Sequence, residues 1–544
     1  MNNKLTFPAV FSKSFQQFQD LDALSFVGEK AMTYKEMGQQ VEALVSSLEL
    51  AGIQPGDKVA LYATNQPNWG IAYLSATFMG AVIVPLLPDF HTDEISNILK
   101  HSEAKLLYVS ENLESKLAEV DLSAIRLVVR IDDFSVAGDE SRARFLIHGT
   151  KAAQIYDPSE EDLAAIIYTS GTTGGSKGVM LTHKNIISNA YGGLGIFNVR
   201  KGHRFLSVLP LSHTLENTIG FVIPMVVGAN VSYMNKPPVP SVLLQALAVV
   251  RPNVMLSVPM IIEKIYKSKI LPALSKSFIL RNACKVPVLR KKLHAAAGKK
   301  LYKTFGGELE FFGIGGAKLD PAVEQFLLDA GFPYAIGYGL TETAPLIAGA
   351  VPGKTRLEST GVIVQDVQIK INEPDEHSGE GEIWVKGPNV MKGYYKAPQI
   401  TSEVLTEDGW FKTGDLGKFD DDHLLYIKGR KKNVIVISTG ENIYPEEIES
   451  IINSFKHVVE SIVVEKKGKL VAMVHFNMEE LQTKLHLLKD DMERLDEYLQ
   501  ELARELQEYI NSRVNRFSRI HAVVLQPIPF QKTATQKIKR YLYY

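Results

Sequence analysis

The sequence predicts an α/β protein with a large N-terminal domain built on parallel sheets and a smaller C-terminal unit. Three observations carry that prediction. The chain has 544 residues, more than one hydrophobic core ordinarily serves. Its first part alternates short aliphatic runs with segments of helical period, the pattern of strands joined by crossover helices. From about Gly361 the strands instead follow one another closely, and a new α/β unit then opens near Lys432.

Taken in order, "TYKEMGQQVEALVSSLELAG" (33–52) spaces its apolar residues as a helix does and stops at Gly52, a C-cap residue. "DKVALYA" (57–63), "AVIVPLL" (81–87) and "AKLLYVS" (104–110) read as buried strands, each followed by helix-like sequence. "VQIKI", "GEIWVKG" and "LLYIKG", separated by Gly and Asp turns, predict an antiparallel layer closing the large domain. The domain division falls at residues 1–429 and 430–544. After the strand-like "KLVAMVHFN", apolar residues recur at 481, 485, 488, 492, 495, 499, 502, 506 and 509. That 3.5-residue spacing predicts one long helix over about 478–516, opened by a capping box of Asn477 and Glu480. The helix packs on its own domain or, as the alternative, forms a seam between subunits.

Composition narrows the function classes. Sixty Lys and Arg balance 61 Asp and Glu, which argues against a nucleic-acid binder working through bulk positive charge. The single cysteine, Cys284, allows no internal disulfide, and no Cys/His cluster suggests structural zinc. A reducing, cytoplasmic setting is expected. The N-terminus lacks the apolar run of a signal peptide, and the most apolar stretch, Ile219 to Val231, is broken by Gly220, Pro224, Gly228 and Asn230. Peripheral contact with the inner face of a membrane stays open.

The densest chemistry lies in "YTSGTTGGSKGVMLTH" (168–183). Glycines admit a phosphate to the backbone, and Ser, Thr and Lys add donors. A Walker loop is excluded because Lys177 is followed by Gly178, with no hydroxyl for magnesium. The run from Gly313 to Lys318 lacks the last glycine of a dinucleotide fingerprint. Tyr168 breaks a nucleophile elbow at Ser170.

This stretch resembles the phosphate loop of the acyl-adenylate-forming (AMP-binding) enzymes. Further elements recur in that family's order: "LPLSHTLE" (209–216), "GIGGAKL" (313–319), "GYGLTETAP" (337–345), "GWFKTGDLG" (409–417), "IKGRKKNVIVISTGENIYPEEIE" (427–449) and "KTATQKIKR" (532–540). The resemblance spans nearly the whole chain. It implies a large domain of two α/β sheet subdomains plus a barrel-like antiparallel layer, and a small mobile α+β domain.

It also implies roles, residue by residue. Thr169, Ser170, Gly171, Thr172, Thr173, Gly174 and Lys177 would cradle the β,γ-phosphates of ATP. Glu342, assisted by Thr169, would hold Mg²⁺, and Thr341 would donate to the α-phosphate. Tyr338 and Gly339, with the backbone of Gly315, Gly316 and Ala317, would line the adenine pocket. Asp415 would accept both ribose hydroxyls, and Arg430 would reach the nucleotide. Lys432 would be the hinge. His213 would stand beside the acyl carboxylate. Lys537 would bridge carboxylate and α-phosphate, with Gln536 where the family usually carries glycine.

The implied reaction joins a carboxylate to AMP, releasing pyrophosphate, and then passes the acyl group to the thiol of coenzyme A. "LPLSHTLEN", "SVPMIIEKIY" (257–266) and "LRKKLHAAAGKKLYKTFGG" (289–307) most resemble long-chain fatty acyl-CoA synthetases. The alternatives are an acyl carrier protein as acceptor, an aryl or medium-chain acid, or a non-catalytic nucleotide binder. The basic segment 289–307 is read as a solvated helix face, with phospholipid or CoA phosphates as its other reading.

Overall fold

The computed structural model describes residues 4–137, 145, 154–170, 176–436, 442–485, 492–533 and 537–544. The helix Tyr34–Leu50 begins with a reciprocal cap. Thr33 Oγ1 accepts from the Glu36 amide at 3.2 Å, and Glu36 Oε2 accepts from the Thr33 amide at 2.8 Å. Its inner face buries Met37, Val41, Leu44 and Leu48. Gly52 follows at φ +75°, a left-handed turn that suits glycine.

The three predicted strands form at Lys58–Tyr62, Val82–Leu86 and Ala104–Val109. They lie side by side and parallel in an eight-stranded sheet. On one flank of this sheet the strands Leu163–Ser170 and Ser176–Thr182 run antiparallel, and the two-residue strand Gly393–Tyr394 forms the edge. A second sheet has nine strands, and its centre is parallel: Asn230–Tyr233, Arg204–Ser207, Val254–Ser257, Phe311–Ile314 and Tyr334–Gly339. The predicted antiparallel layer is a four-stranded sheet in the order Gln368–Asn372, Gly381–Lys386, Phe411–Phe419, Leu425–Arg430. Its third strand carries the "FKTGDLG" motif.

The C-terminal unit is α+β, with a sheet of Val458–Lys466, Lys469–Phe476 and Ala522–Leu525. The heptad stripe is helical over Met478–Leu485 and Met492–Asn511; residues 486–491 lie outside the described ones. Leu481, Leu495, Leu499, Leu502 and Leu506 are buried with Ile448, Ile452 and Val463 of the same unit. The described part of the stripe therefore packs on its own domain.

Three details differ from expectation. The helix ends at Asn511, not near 516, because the Asn511 side chain pairs with both peptide groups of Ile520 (3.0 and 2.8 Å) and turns the chain into the next strand. At the last turn Ile510 is buried in place of Tyr509, the drift expected when a 3.5 repeat is laid on a straight 3.6-residue helix. The cap at Asn477 is half of a capping box. Its Oδ1 accepts from the Glu480 amide at 3.2 Å, but the Asn477 amide is already donated to His457.

Candidate active site

Three loops of the site follow the C-terminal ends of parallel strands in the nine-stranded sheet, the usual position for ligands in such folds. Strand Arg204–Ser207 leads to His213, Phe311–Ile314 to Gly315–Ala317, and Tyr334–Gly339 to Thr341 and Glu342. Gly316 adopts φ +87°. At Gly339 a Cβ would lie 1.8 Å from the Pro345 carbonyl oxygen, so only glycine lets the two chain segments approach this closely.

Two hairpins close in from the other sheets. In the first, Thr169 pairs with Lys177 and Ser170 with Ser176. Its tip, including Gly171, Thr172, Thr173 and Gly174, lies outside the described residues. In the second, Asp415 and Arg430 are cross-strand partners. Arg430 Nε donates to Asp415 Oδ1 at 2.7 Å, and the Tyr338 hydroxyl donates to Oδ2 at 2.8 Å. Burial pushes the buried Asp415 carboxyl above its usual range, against the pull of Arg430 and Tyr338. Both oxygens are thus oriented, and each keeps a lone pair for a further donor.

Glu342 sits on the short turn Thr341–Thr343. Its Oε1 accepts from the Tyr394 hydroxyl at 2.8 Å, and Lys177 Nζ lies 5.2 Å from the centre of the same tyrosine ring. Glu342 Oε2 accepts no hydrogen bond from the described residues. One oriented carboxylate with an open oxygen fits Mg²⁺, which keeps waters and phosphate oxygens as its other ligands. Among the described residues no group of three or more His, Cys, Asp or Glu offers a protein cage.

Lys537 arrives from the C-terminal unit, on one arm of a turn closed by Thr533 N–H donating to the Lys537 carbonyl at 2.8 Å. Residues 534–536, with Gln536, lie outside the described ones. Lys537 remains solvent-accessible. Desolvation of its ammonium and the nearby Arg430 hold it below the usual lysine range, opposed by Asp415 and Glu342. Lys432 is likewise lowered, by desolvation, Arg430, Lys177 and Lys537. Four cations thus converge on two carboxylates, leaving a site with surplus positive charge. His213 is lowered to about 4 by burial and Lys537, so its imidazole is neutral at pH 7.

Beside this polar cluster lies an apolar cleft. Gly315, Leu215, Ile219, Ile223, Phe197 and Phe311 are among the residues that line it. Phe197 and Phe311 stack with centroids 4.6 Å apart. The loop bearing His213 is pinned by Asn65, which donates to Ser207 Oγ and the Leu209 carbonyl and accepts from the Leu211 amide.

The structure therefore brings Tyr338, Asp415, Arg430, Glu342, Lys177, Lys432, His213 and Lys537 to one place. Sequence reasoning missed Tyr394, Asn65 and the aromatic lining. Only Tyr394 carried any signal, as an aromatic pair in the glycine-containing "MKGYYK" segment.

Comparison with known proteins agrees with this geometry. Residues 11–395 match the model of the AMP-binding enzyme family, and residues 432–544 match the AMP-binding enzyme C-terminal domain. The chain belongs to the AMP-binding enzyme family. Among curated relatives, long chain acyl-CoA synthetase 1 of Arabidopsis thaliana is 30% identical over 98% of this chain and 90% of its own length. A long-chain-fatty-acid–CoA ligase of Mycobacterium bovis is 31% identical over 80% of this chain and 75% of its own. A long-chain-fatty-acid–[acyl-carrier-protein] ligase of Arabidopsis thaliana is 30% identical over 83% and 73%. In fold, the chain is similar to o-succinylbenzoate CoA synthetase from Bacillus subtilis, solved with its acyl-adenylate intermediate. That match has a TM-score of 0.77 at 21% identity, over 98% of this chain and 97% of that one.

Proposed function

We propose that this protein activates a long-chain fatty acid with ATP as acyl-AMP and transfers the acyl group to coenzyme A. The observation that carries this reading is the pairing of two environments: a cation-rich polar cluster, and beside it an apolar cleft whose lining includes Gly315 and Leu215, the latter donating its amide to His213. A polyanion suits the first and an alkyl chain the second.

In this reading the acid lies with its tail along Ile219, Ile223 and Phe197 and its carboxylate near His213. The neutral imidazole adds no charge beside the nucleophile. Adenylation requires an anion to approach a triphosphate, so the barrier is largely electrostatic. Lys537 and Arg430 offset the charge that builds between carboxylate and α-phosphate. Lys177 and the glycine-rich hairpin hold the departing pyrophosphate, and Asp415 takes the ribose hydroxyls. Glu342 and Thr169 would hold Mg²⁺, which when bound neutralises phosphate charge.

The thiol acceptor is coenzyme A in the first reading. The relative that bears an acyl-carrier-protein name keeps a carrier-protein thiol as the second. Pyrophosphate exchange across a panel of acids, followed by addition of either thiol, tests substrate and acceptor together.

Lys537→Ala tests the chemistry. Acyl-AMP formation should fall by at least about 100-fold, the usual scale for a lost electrostatic contact to a transition state. Thioester formation from supplied acyl-AMP should stay near the parent rate. Equal loss of both half-reactions refutes the assignment of Lys537.

A further inference from the structure

Between Lys264 and Gly307 the chain carries twelve Lys and Arg and no Asp or Glu, although the whole protein is balanced in charge. Among the described residues Arg290 alone of these twelve forms an ion pair, with Asp329 at 2.8 Å. The segment is also unusually bare. From Ser275 to Lys292 no residue is buried, yet Phe278 is 71% exposed, Ile279 78% and Val288 67%.

The geometry is one-sided. The helix Pro287–Thr304 is anchored on one face by His294, Gly298 and Leu301. Gly298 lies so close to Ala330 that a Cβ would meet the Ala330 Cβ at 2.5 Å. At 100° per residue, Lys292, Lys299 and Lys303 fall on the opposite face. Val288 and Leu289 sit at the outward end of that face, and the helix Phe278–Ala283 directly precedes it in the chain. The result is a basic stripe about 17 Å long, preceded in the chain by the exposed apolar residues Phe278, Ile279, Val288 and Leu289.

We infer that this helical lobe docks the protein on an anionic lipid bilayer, with Phe278, Ile279 and Val288 entering the headgroup boundary and the lysine face lying on the phosphates. A bilayer fits better than a protein because the charge is spread over many lysines without ion pairs among the described residues and the neighbouring apolar residues are exposed. That combination suits a diffuse, fluid anionic surface. Juxtamembrane lysines add roughly 1 kcal/mol each at such a surface, about fivefold in partitioning.

The test uses the full chain and vesicles of phosphatidylcholine, with or without about one-third phosphatidylglycerol. The parent protein should co-sediment with the anionic vesicles alone, and salt should release it. The combined change Lys292→Gln, Lys299→Gln, Lys303→Gln should weaken binding roughly 100-fold. Phe278→Ala with Ile279→Ala should weaken it about tenfold at physiological salt. All four substituted helix positions besides Ile279, and Ile279 itself, are exposed, so both variants should melt at the parent temperature, which serves as the folding control. Equal binding to neutral vesicles overturns the inference, as does parent-like binding by both variants. So does loss of an acyl carrier protein complex in these variants while vesicle binding persists, because the lobe would then be a protein-docking surface.

Discussion

Glu216 is 2% exposed on the helical segment Leu215–Val222, whose Leu215 and Ile219 line the apolar cleft. Gly220 leaves it room: a Cβ there would come within 2.7 Å of the Glu216 carboxyl carbon. Oε2 has no hydrogen-bond partner among the described residues, and burial, only partly offset by Ser207, raises the acid to about 8. At neutral pH the native state therefore holds a proton that the unfolded chain has lost. Between about pH 4.5 and 8 stability should fall by about 1.4 kcal/mol per pH unit through this one group. Glu216→Gln removes that slope. The melting temperature of the variant, relative to the parent, should rise steadily from pH 5 to pH 8; a constant difference would show that the carboxyl is ionised in the native protein. Residue identities at the site were legible where a side chain's chemistry is tied to a short motif, as with Lys537, Asp415 and Glu342. Tyr394 was not, because its partner Glu342 is brought to it by an edge strand of two residues, Gly393–Tyr394, that no period announces.

Among the elements, the heptad stripe shows what a period does and does not encode. Apolar positions at 3.5 spacing were enough to give helix and burial over the described part of the stripe, because such a stripe cannot be left in water. They did not give the stop at Asn511, which depends on Ile520 returning to pair with it. Leu495 is buried among Ile448, Ile452 and neighbouring leucines of its own domain. Leu495→Ala should cost about 2–5 kcal/mol in chemical denaturation with an unchanged sedimentation coefficient. A concentration-dependent dimer that this change converts to monomer would move the stripe to a subunit seam. The strands of the large domain were legible for a comparable reason, since runs buried on both faces, such as Val82–Leu86, read as continuous apolar sequence.

For the whole molecule, the hydrophobic clusters divide cleanly. Among the described residues, no cluster mixes side chains before Ile427 with side chains after Ile435. Contact across the junction is polar instead: Tyr444 to Glu380 at 2.8 Å and Lys428 to Glu447 at 3.4 Å. This supports the proposed division at residues 1–429 and 430–544, and polar junctions of this kind permit relative motion. Calorimetry should resolve two transitions, the smaller belonging to the C-terminal unit. A single transition with equal calorimetric and van't Hoff enthalpies would mean the two units unfold as one.

The lobe between Lys264 and Gly307 has a consequence that reaches past its own contacts. It takes twelve of the 60 basic residues and none of the 61 acidic ones, so the rest of the chain is left anionic. A balanced net charge therefore conceals a large electric dipole moment. Near a negatively charged surface such a molecule feels a torque before it touches anything. It should arrive already turned, with the lobe leading and the acidic remainder facing the solvent.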